Sequence, residues 1–234
     1  METKLEVSVI SPVFNERENL KTFVDAVAEV MRSTGMSWEL IIVDDGSDDG
    51  SAEAIKELIN QENIRCLLLS KNYGQTTAIQ AGFDNAVGKY LVTLDSDMQN
   101  DPKDIPALLN KLIKEELDLV VGWRKNRKDN YFLRNLPSSI ANKLIGSITG
   151  VKLHDYGCSL KAYRADVLKE VRLYGEMHRF IPAWMATKIP ASKISEIEVT
   201  HHPRTAGESK YGISRTFRVF VDLISVYFFM KFCS

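Results

Sequence analysis

Five short apolar runs recur along the first half of this 234-residue chain, and each ends in a polar or flexible segment. They are EVSVIS (6–11), WELIIVDD (38–45), IRCLLLS (64–70), KYLVTLD (89–95) and LDLVVGW (117–123). Runs this short and this rich in Val, Ile and Leu read as strands buried on both faces. The stretches between them read as helices. Residues 17–33 carry Leu20, Phe23, Val24, Val27 and Met31 at helical spacing, and 51–61, 75–87 and 102–115 complete the set. Strands alternating with helices of this length imply βαβ units and an α/β fold with a mostly parallel sheet. Such sheets bind ligands beyond the carboxyl ends of their strands. The loops that follow the apolar runs are therefore where chemistry is to be sought.

Three of those loops are rich in carboxylates and amides. VTLDSDMQNDPKDIP (92–106) sets Asp95 and Asp97 one residue apart where the fourth strand runs out. Two carboxylates so placed repel unless something positive lies between them. A hard divalent cation, Mg²⁺ or Mn²⁺, is the simplest partner, with Gln99 offering an amide oxygen on the same side. A plain Asx-rich turn is the other reading of the same residues. VDDGSDDGS (43–51) superficially resembles a calcium loop, but a loop begun at Asp45 puts Lys56 where a bidentate Glu is required. It reads instead as a strand-to-helix turn, with Ser51 or Asp49 as cap and Asp44 facing the same edge as Asp95. SPVFNERENL (11–20) places Pro12, Asn15 and Glu16 after the first strand, where helix initiation capped by Asn15 is the plainer alternative. Three such loops at one sheet edge point to a nucleotide site.

Several classes are excluded. There is no G-x-G-x-x-G, and Gly88-Lys89 is followed by Tyr90 with no correctly spaced upstream glycine, so neither a dehydrogenase nor a P-loop ATPase is expected. The net charge of -1 gives no reason to expect nucleic acid as a partner. Cys66, Cys158 and Cys233 are far apart and odd in number, which suggests neither a metal cluster nor a disulfide framework but a reducing compartment. The start is charged and no long apolar segment follows it, unlike a secretory signal. No stretch reaches the roughly 18 to 20 apolar residues of a membrane-spanning helix.

The second half is less regular. Residues 124–135 are basic, with Arg124, Lys125, Arg127, Lys128 and Arg134. A helix is expected over 138–149, and strands over CSLKAYR (158–164) and ISEIEVTHH (194–202). His201 and His202 are neighbours on a strand and point to opposite faces, so they are poor joint metal ligands and read as structural, as does His178. Cys158 reads as a small buried residue. The final stretch, YGISRTFRVFVDLISVYFFMKF (211–232), sets Arg215, Arg218, Asp222 and Ser225 on one stripe of an otherwise apolar helix. That helix either packs on the sheet or lies in a membrane interface, leading into membrane helices beyond Ser234. One domain over 1–210 with an amphipathic appendage over 211–234 is the expected organisation.

SPVFNE, VDDGS and LDSDMQ, in this order and at these intervals, resemble the inverting glycosyltransferases of family 2, which have the GT-A fold. SKNYGQTTAIQAGFDNAVGKYLVTLDSDMQNDP, WRKNRKDNYFLRNLPS, HDYGCSLKAYR, MHRFIP and GESKYGISR are similar to the polyprenyl-phosphate branch of that family, which includes dolichyl-phosphate mannose and glucose synthases and undecaprenyl-phosphate transferases. The likeness runs through about residue 218. It implies that Pro12, Phe14, Asn15, Glu16, Asp44, Lys71 and Ser96 serve the donor. Asp95, Asp97 and Gln99 would hold Mg²⁺ or Mn²⁺ on the diphosphate. Arg204 and Lys210 would meet donor phosphate, and Arg124, Arg134, Ser138 and Ser209 the acceptor phosphate. The implied partners are a nucleoside-diphosphate sugar, UDP slightly favoured over GDP, a polyprenyl phosphate and a membrane surface at its cytoplasmic face. Homo-oligomerisation stays open. The polymer synthases of family 2 carry a Thr-Glu-Asp base and a Gln-x-x-Arg-Trp segment. Neither occurs here, which disfavours a processive enzyme.

The implied reaction suits that absence. A sugar hydroxyl must lose a proton before it attacks, but a lipid phosphate is already an anion and needs positioning rather than a base. Asp155 would orient an arginine, assist sugar hydroxyls or act as a base, with orientation favoured. The loop HPRTAGESKYG (202–212) is expected to close over the phosphates. Two rivals remain: a non-catalytic, membrane-tethered nucleotide-sugar sensor on the same fold, and a family 2 transferase with a different acceptor. A nucleotidyltransferase is disfavoured, because its first loop is Gly-rich and SPVFNERENL has no glycine.

Overall fold

The computed structural model describes residues 5–59, 63–125, 146 and 150–203. Strand β1 (Val7–Val13) lies between β2 (Trp38–Asp44) and β4 (Tyr90–Thr93) and is parallel to both, while β3 (Ile64–Leu68) adds in parallel beyond β2. The chain thus builds outward from β1 to β3, then returns to place β4 on the other side of β1. That reversal of strand order opens a crevice at the carboxyl ends of β1 and β4. Next to β4 comes β6 (Lys161–Arg164), antiparallel both to β4 and to β5 (Leu119–Trp123), and β7 (Ile194–Glu198) ends the sheet in parallel with β5. The seven-stranded order is β3-β2-β1-β4-β6-β5-β7.

The reversed strand matters for the site. Lys161, the first residue of β6, pairs with Thr93 and Val121 near the carboxyl ends of β4 and β5. The segment just before it, including Asp155 and Ser159, is thereby delivered to the edge where Asp95 sits. A wholly parallel sheet would have sent that segment to the opposite edge. The expected strand over 158–164 starts only at Lys161. The expected strand over 194–202 stops at Glu198, with His201 making a separate bridge to Asn100.

Helix α1 (Arg17–Thr34) buries Leu20, Phe23, Val24, Val27 and Met31, the residues whose spacing predicts it. It ends at Gly35, whose φ of 69° suits a residue without a Cβ. Helices α2 (Ser51–Leu58), α3 (Gln75–Asn85) and α4 (Ile105–Lys114) follow β2, β3 and β4. Val7, Val9, Ile10 and Val13 of β1 are essentially inaccessible. Each such side chain contributes about 1.5–3 kcal/mol of transfer free energy. α3 packs close to β1 at Gly82, where an added Cβ would come within 2.3 Å of Ile10 Cγ2.

Proline in this central strand is tolerated for a definite reason. Ile10 faces β4 and Val13 faces β2, since their carbonyls accept from Leu94 and Asp45 respectively. By the alternation of a parallel strand Pro12 faces β4, but the last rung there joins Ile10 to Thr93. No ladder bond needs the missing N–H.

The amino edge of the sheet is closed by buried Glu39. It accepts from the Ser8 hydroxyl at 2.6 Å, from Arg65 at 2.7 Å and from the Val87 N–H at 3.2 Å. The Ser8 hydroxyl in turn receives the Gly88 N–H. This latch ties β1, β2, β3 and the α3–β4 connection together at the end opposite the crevice.

Two expected helix caps take other roles. Asn15 adopts a left-handed φ of 54° and its side chain reaches the β2–α2 loop instead of capping α1. Ser51 is already the first residue of α2, and Asp49 accepts both its N–H and its hydroxyl. Among the described residues no helix is long and apolar enough to cross a membrane. The amphipathic stretch 211–232, most of the helix expected over 138–149, and basic residues 126–134 lie outside the described residues.

Candidate active site

The β1–α1 and β2–α2 loops are stitched to each other. Asn15 donates from its amide to Asp48 at 2.7 Å and accepts the Asp48 N–H at 3.0 Å, while its own N–H reaches the Ser47 hydroxyl at 2.9 Å. The Glu16 N–H is held by Ser51, and the Arg17 N–H by Asp49. Two of the four VDDGSDDGS acids, Asp48 and Asp49, thus help shape a floor from two loops. Glu16 itself accepts from Asn19 at 2.7 Å, and Pro12 and Phe14 stand half-buried beside it.

Asp44 and Asp45, adjacent at the end of β2, divide the work. Both are only 2% exposed. Asp45 accepts the backbone N–H groups of Tyr73 and Gly74 at 2.8 and 2.9 Å, so it holds the β3–α3 loop. Burial pushes its carboxyl above the usual range against those two bonds. Gly46 lets the loops meet: its φ is 69°, and a Cβ there would lie 2.3 Å from the Lys71 carbonyl carbon. Asp44 accepts the Ser47 N–H through Oδ2 at 3.2 Å, and its Oδ1 is buried with no partner among the described residues. A buried carboxylate oxygen without a donor is costly.

Asp95 and Asp97 follow β4 at the centre of the edge. Asp95 is half-buried and accepts the Gln75 amide N–H at 2.8 Å. Burial first, then the neighbouring Asp97 charge, raise its carboxyl to about 6. The Ser159 hydroxyl, Lys161 and Arg124 act in the opposite direction. Asp97 accepts the Gln99 N–H at 3.1 Å, which closes an Asx turn with Met98 at a left-handed φ of 58°. The Asx-rich turn is therefore present, on the same residues as the candidate metal site. The pair suits a hard cation by its chemistry, two carboxylates one residue apart, and their mutual repulsion adds to burial in raising Asp95. Among the described residues no group of three or more His, Cys, Asp or Glu is gathered for a metal. An ion here would be held by the two carboxylates and the Gln99 amide oxygen, donors of the hard kind that Mg²⁺ and Mn²⁺ take.

Arg124 leaves the end of β5 and is clamped by Asp155. Nε donates to Oδ2 at 2.7 Å and Nη2 to Oδ1 at 3.0 Å, with side chains 12% and 8% exposed. The Gly157 N–H adds a bond to Oδ1. Burial disfavours the guanidinium charge, but the Asp155 carboxylate more than offsets this and holds the arginine firmly cationic. Behind it Lys161 is buried and donates to the Cys158 carbonyl; burial pulls its ammonium downward in pKa. Asp95 and Arg124 lie close enough for each charge to influence the other.

Downstream, the end of β7 returns to the Asp95 loop. His202 donates its N–H to the Gln99 carbonyl at 2.7 Å and its ring faces Asp101 at 3.1 Å, while the Thr200 N–H meets Asp104 at 2.7 Å. His178 bonds Thr76 at the start of α3 at 2.6 Å. Cys158 is fully buried.

The edge thus gathers Pro12, Phe14, Asn15, Glu16, Asp44, Asp95, Ser96, Asp97, Gln99, Arg124 and Asp155. Ser96 is buried, and Lys71 is exposed with its ammonium 5.2 Å from the Tyr73 ring centre. Arg134, Ser138, Arg204, Ser209 and Lys210 lie outside the described residues. Sequence reasoning missed Asp45, Gln75, Ser159 and Lys161. Gln75 was within reach of it, since NYGQ follows the third strand and must sit at the same edge. Lys161 gave no comparable signal, because a lysine within an apolar strand is ordinarily read as facing solvent.

Comparison with known proteins narrows what such an edge does. The family model described as glycosyl transferase family 2 matches residues 8–172. A dodecaprenyl-phosphate galacturonate synthase of Rhizobium johnstonii is 56% identical over 230 residues, covering 97% of this chain and 68% of that protein. An undecaprenyl-phosphate 4-deoxy-4-formamido-L-arabinose transferase of Pectobacterium atrosepticum is 40% identical over 221 residues, covering 94% of this chain and 66% of that protein. The chain therefore spans about two thirds of the length of these relatives. Among solved structures, mannosyl-3-phosphoglycerate synthase of Rubrobacter xylanophilus superposes with a TM-score of 0.77 at 12% identity, covering 97% of this chain and 75% of that one. Glucosyl-3-phosphoglycerate synthase of Mycobacterium tuberculosis, in complex with Mn²⁺, UDP and glucosyl-3-phosphoglycerate, gives 0.74 at 15% identity, covering 97% and 80%. At these identities the two structures establish the shared fold.

Proposed function

The chain belongs to glycosyl transferase family 2, with the GT-A fold, and on that premise we propose that it moves a sugar from a nucleoside diphosphate to a polyprenyl phosphate. One observation carries the reading: the Asp95–Asp97 pair and a buried arginine clamped by Asp155 share a single sheet edge. The two features suit opposite ends of one reaction. Carboxylates with a cation suit a departing diphosphate, and a pre-oriented guanidinium suits an incoming phosphate.

Each residue then has a distinct task. Asp44 receives a donor from the base or ribose on its unpartnered oxygen, above the floor made by Asn15, Glu16 and the β2–α2 loop. Asp95, Asp97 and Gln99 hold Mg²⁺ or Mn²⁺, which when bound neutralises charge gathering on the leaving diphosphate. Arg124 presents the N–H groups not engaged by Asp155 to the acceptor phosphate. Asp155 then orients the arginine and is not a base, because both its oxygens are already engaged by Arg124. No proton need leave the acceptor, since a phosphate monoester is anionic at neutral pH. Arg134, Ser138 and Ser209 are proposed to add to the acceptor phosphate, and Arg204 and Lys210 to the donor phosphates, with Lys71 and Ser96 beside the donor.

The 56% identity to a galacturonate synthase makes a nucleotide-linked uronic acid the first donor to try, with UDP, slightly favoured over GDP by the sequence resemblance, as the first carrier. Both relatives are named for polyprenyl phosphates, and an acceptor of that kind would bring the reaction to a membrane surface. There the stretch 211–234 would lie in the interface. A turnover assay with Mn²⁺, a panel of sugar nucleotides and a polyprenyl phosphate tests the proposal. Product from one donor supports it. Tight nucleotide binding with no product from any donor would favour the sensor reading. Lys210→Ala and Arg204→Ala are each expected to weaken turnover; no change in either would remove the 202–212 loop from the scheme.

A further inference from the structure

We infer that Gln75 is a positioning residue that sets the rotamer of Asp95, coupling the β3–α3 loop to the capture of the divalent cation; this rests on the reading of Asp95 as a metal-holding carboxylate. Gln75 is the first residue of α3 and its amide N–H donates to Asp95 Oδ1 at 2.8 Å. A carboxylate only accepts, so the amide must turn its nitrogen to Asp95 and keep its carbonyl oxygen on the other side. The bond engages one oxygen of Asp95, and the Ser159 hydroxyl bonds the same carboxylate, so the two donors together fix its orientation.

The position of Gln75 is itself fixed from behind. Gly74, immediately before it, has a φ of 94° that a side chain would strain. Asp45, buried at the end of β2, accepts the N–H groups of both Tyr73 and Gly74. One residue further along, Thr76 is buried and bonded to His178 at 2.6 Å. A chain of short contacts therefore runs from β2 through Asp45 and the loop backbone to Gln75 and on to Asp95. Neither Asp45 nor Gln75 needs to touch the ion. Outer partners of metal-holding carboxylates commonly change affinity by about 10- to 100-fold when removed.

The test is Mn²⁺ binding to the full chain, read by electron paramagnetic resonance in the presence of nucleoside diphosphate, with the melting temperature followed in parallel. Gln75→Met keeps the length and loses the donor. It is expected to bind Mn²⁺ about tenfold more weakly, with an unchanged melting temperature and a fall in kcat larger than any rise in donor KM. Asp45→Asn, which removes one of two acceptors, is expected to weaken Mn²⁺ in the same direction. Glu29→Ala, exposed on α1 away from this loop, is expected to leave Mn²⁺ affinity unaltered. Wild-type affinity in Gln75→Met would overturn the inference while leaving the metal reading intact. Failure of the wild-type chain to bind Mn²⁺ would overturn the metal reading and this inference with it.

Discussion

Asp155 meets Arg124 through two parallel hydrogen bonds, 2.7 and 3.0 Å long, in a position where both side chains are nearly buried. Removing one partner of such a pair leaves an uncompensated charge and costs about 3–5 kcal/mol. Asp155→Ala is expected to lower unfolding stability by about that much. Asp155→Asn keeps the shape and one acceptor, and should slow turnover chiefly through acceptor affinity, with the pH profile unchanged in form. If Asp155→Asn folds and binds both substrates but abolishes turnover, and its pH profile has lost an essential base, the orienting role is wrong.

The raised carboxyl of Asp95 carries a pH signature. Its value of about 6 lies above the ordinary 3.8, so the folded metal-free chain binds this proton more tightly than the unfolded chain does. On this group's account, stability rises as pH falls from 7 through 6 and declines again as pH is raised. Thermal melts of metal-free protein at pH 5 and pH 7 should show that trend, and Asp95→Asn should flatten it. Mn²⁺ affinity should weaken in the same interval, because proton and cation compete for one carboxylate. An affinity independent of pH between 5 and 7 would contradict this.

Asp44 keeps one buried oxygen without a donor among the described residues. Asp44→Ala removes the acceptor of the Ser47 N–H and, on the proposed reading, an acceptor from the bound nucleotide. The expected result is a melting temperature at or a little below that of the wild type, with nucleotide affinity at least about tenfold weaker by calorimetry, since a lost charged hydrogen bond is worth about 1.5–3 kcal/mol. Unchanged affinity would take Asp44 out of the donor site.

Glu39 supplies the opposite control. It serves Ser8, Arg65 and the Val87 N–H at the amino edge, away from the crevice. Glu39→Ala should cost about 3 kcal/mol in denaturant titration, because several donors lose their acceptor at once. Nucleotide affinity per folded molecule should not change. Loss of affinity at constant stability would show that the two edges are linked.

Local sequence pattern determines a large part of this molecule. The spacing of Leu20, Phe23, Val24, Val27 and Met31 predicts α1, and the apolar runs predict β1 to β5, because local periodicity and burial have the same cause. The carboxyl-edge rule then brings Asp44, Asp95 and Asp97 together from strand order alone. Tertiary structure decided what periodicity cannot encode. The reversed direction of β6 brings Asp155 and Lys161 to that edge from far downstream of Asp95. Asp44 and Asp45 are identical and adjacent, yet one accepts from Ser47 in its own loop and the other holds Tyr73 and Gly74. Asn15 leaves its expected cap for Asp48, and Gln75 finds Asp95. These are choices among partners distant in sequence, set by which groups the packed sheet brings within hydrogen-bonding distance. A local pattern names the candidates, and only the closed fold selects the pairs.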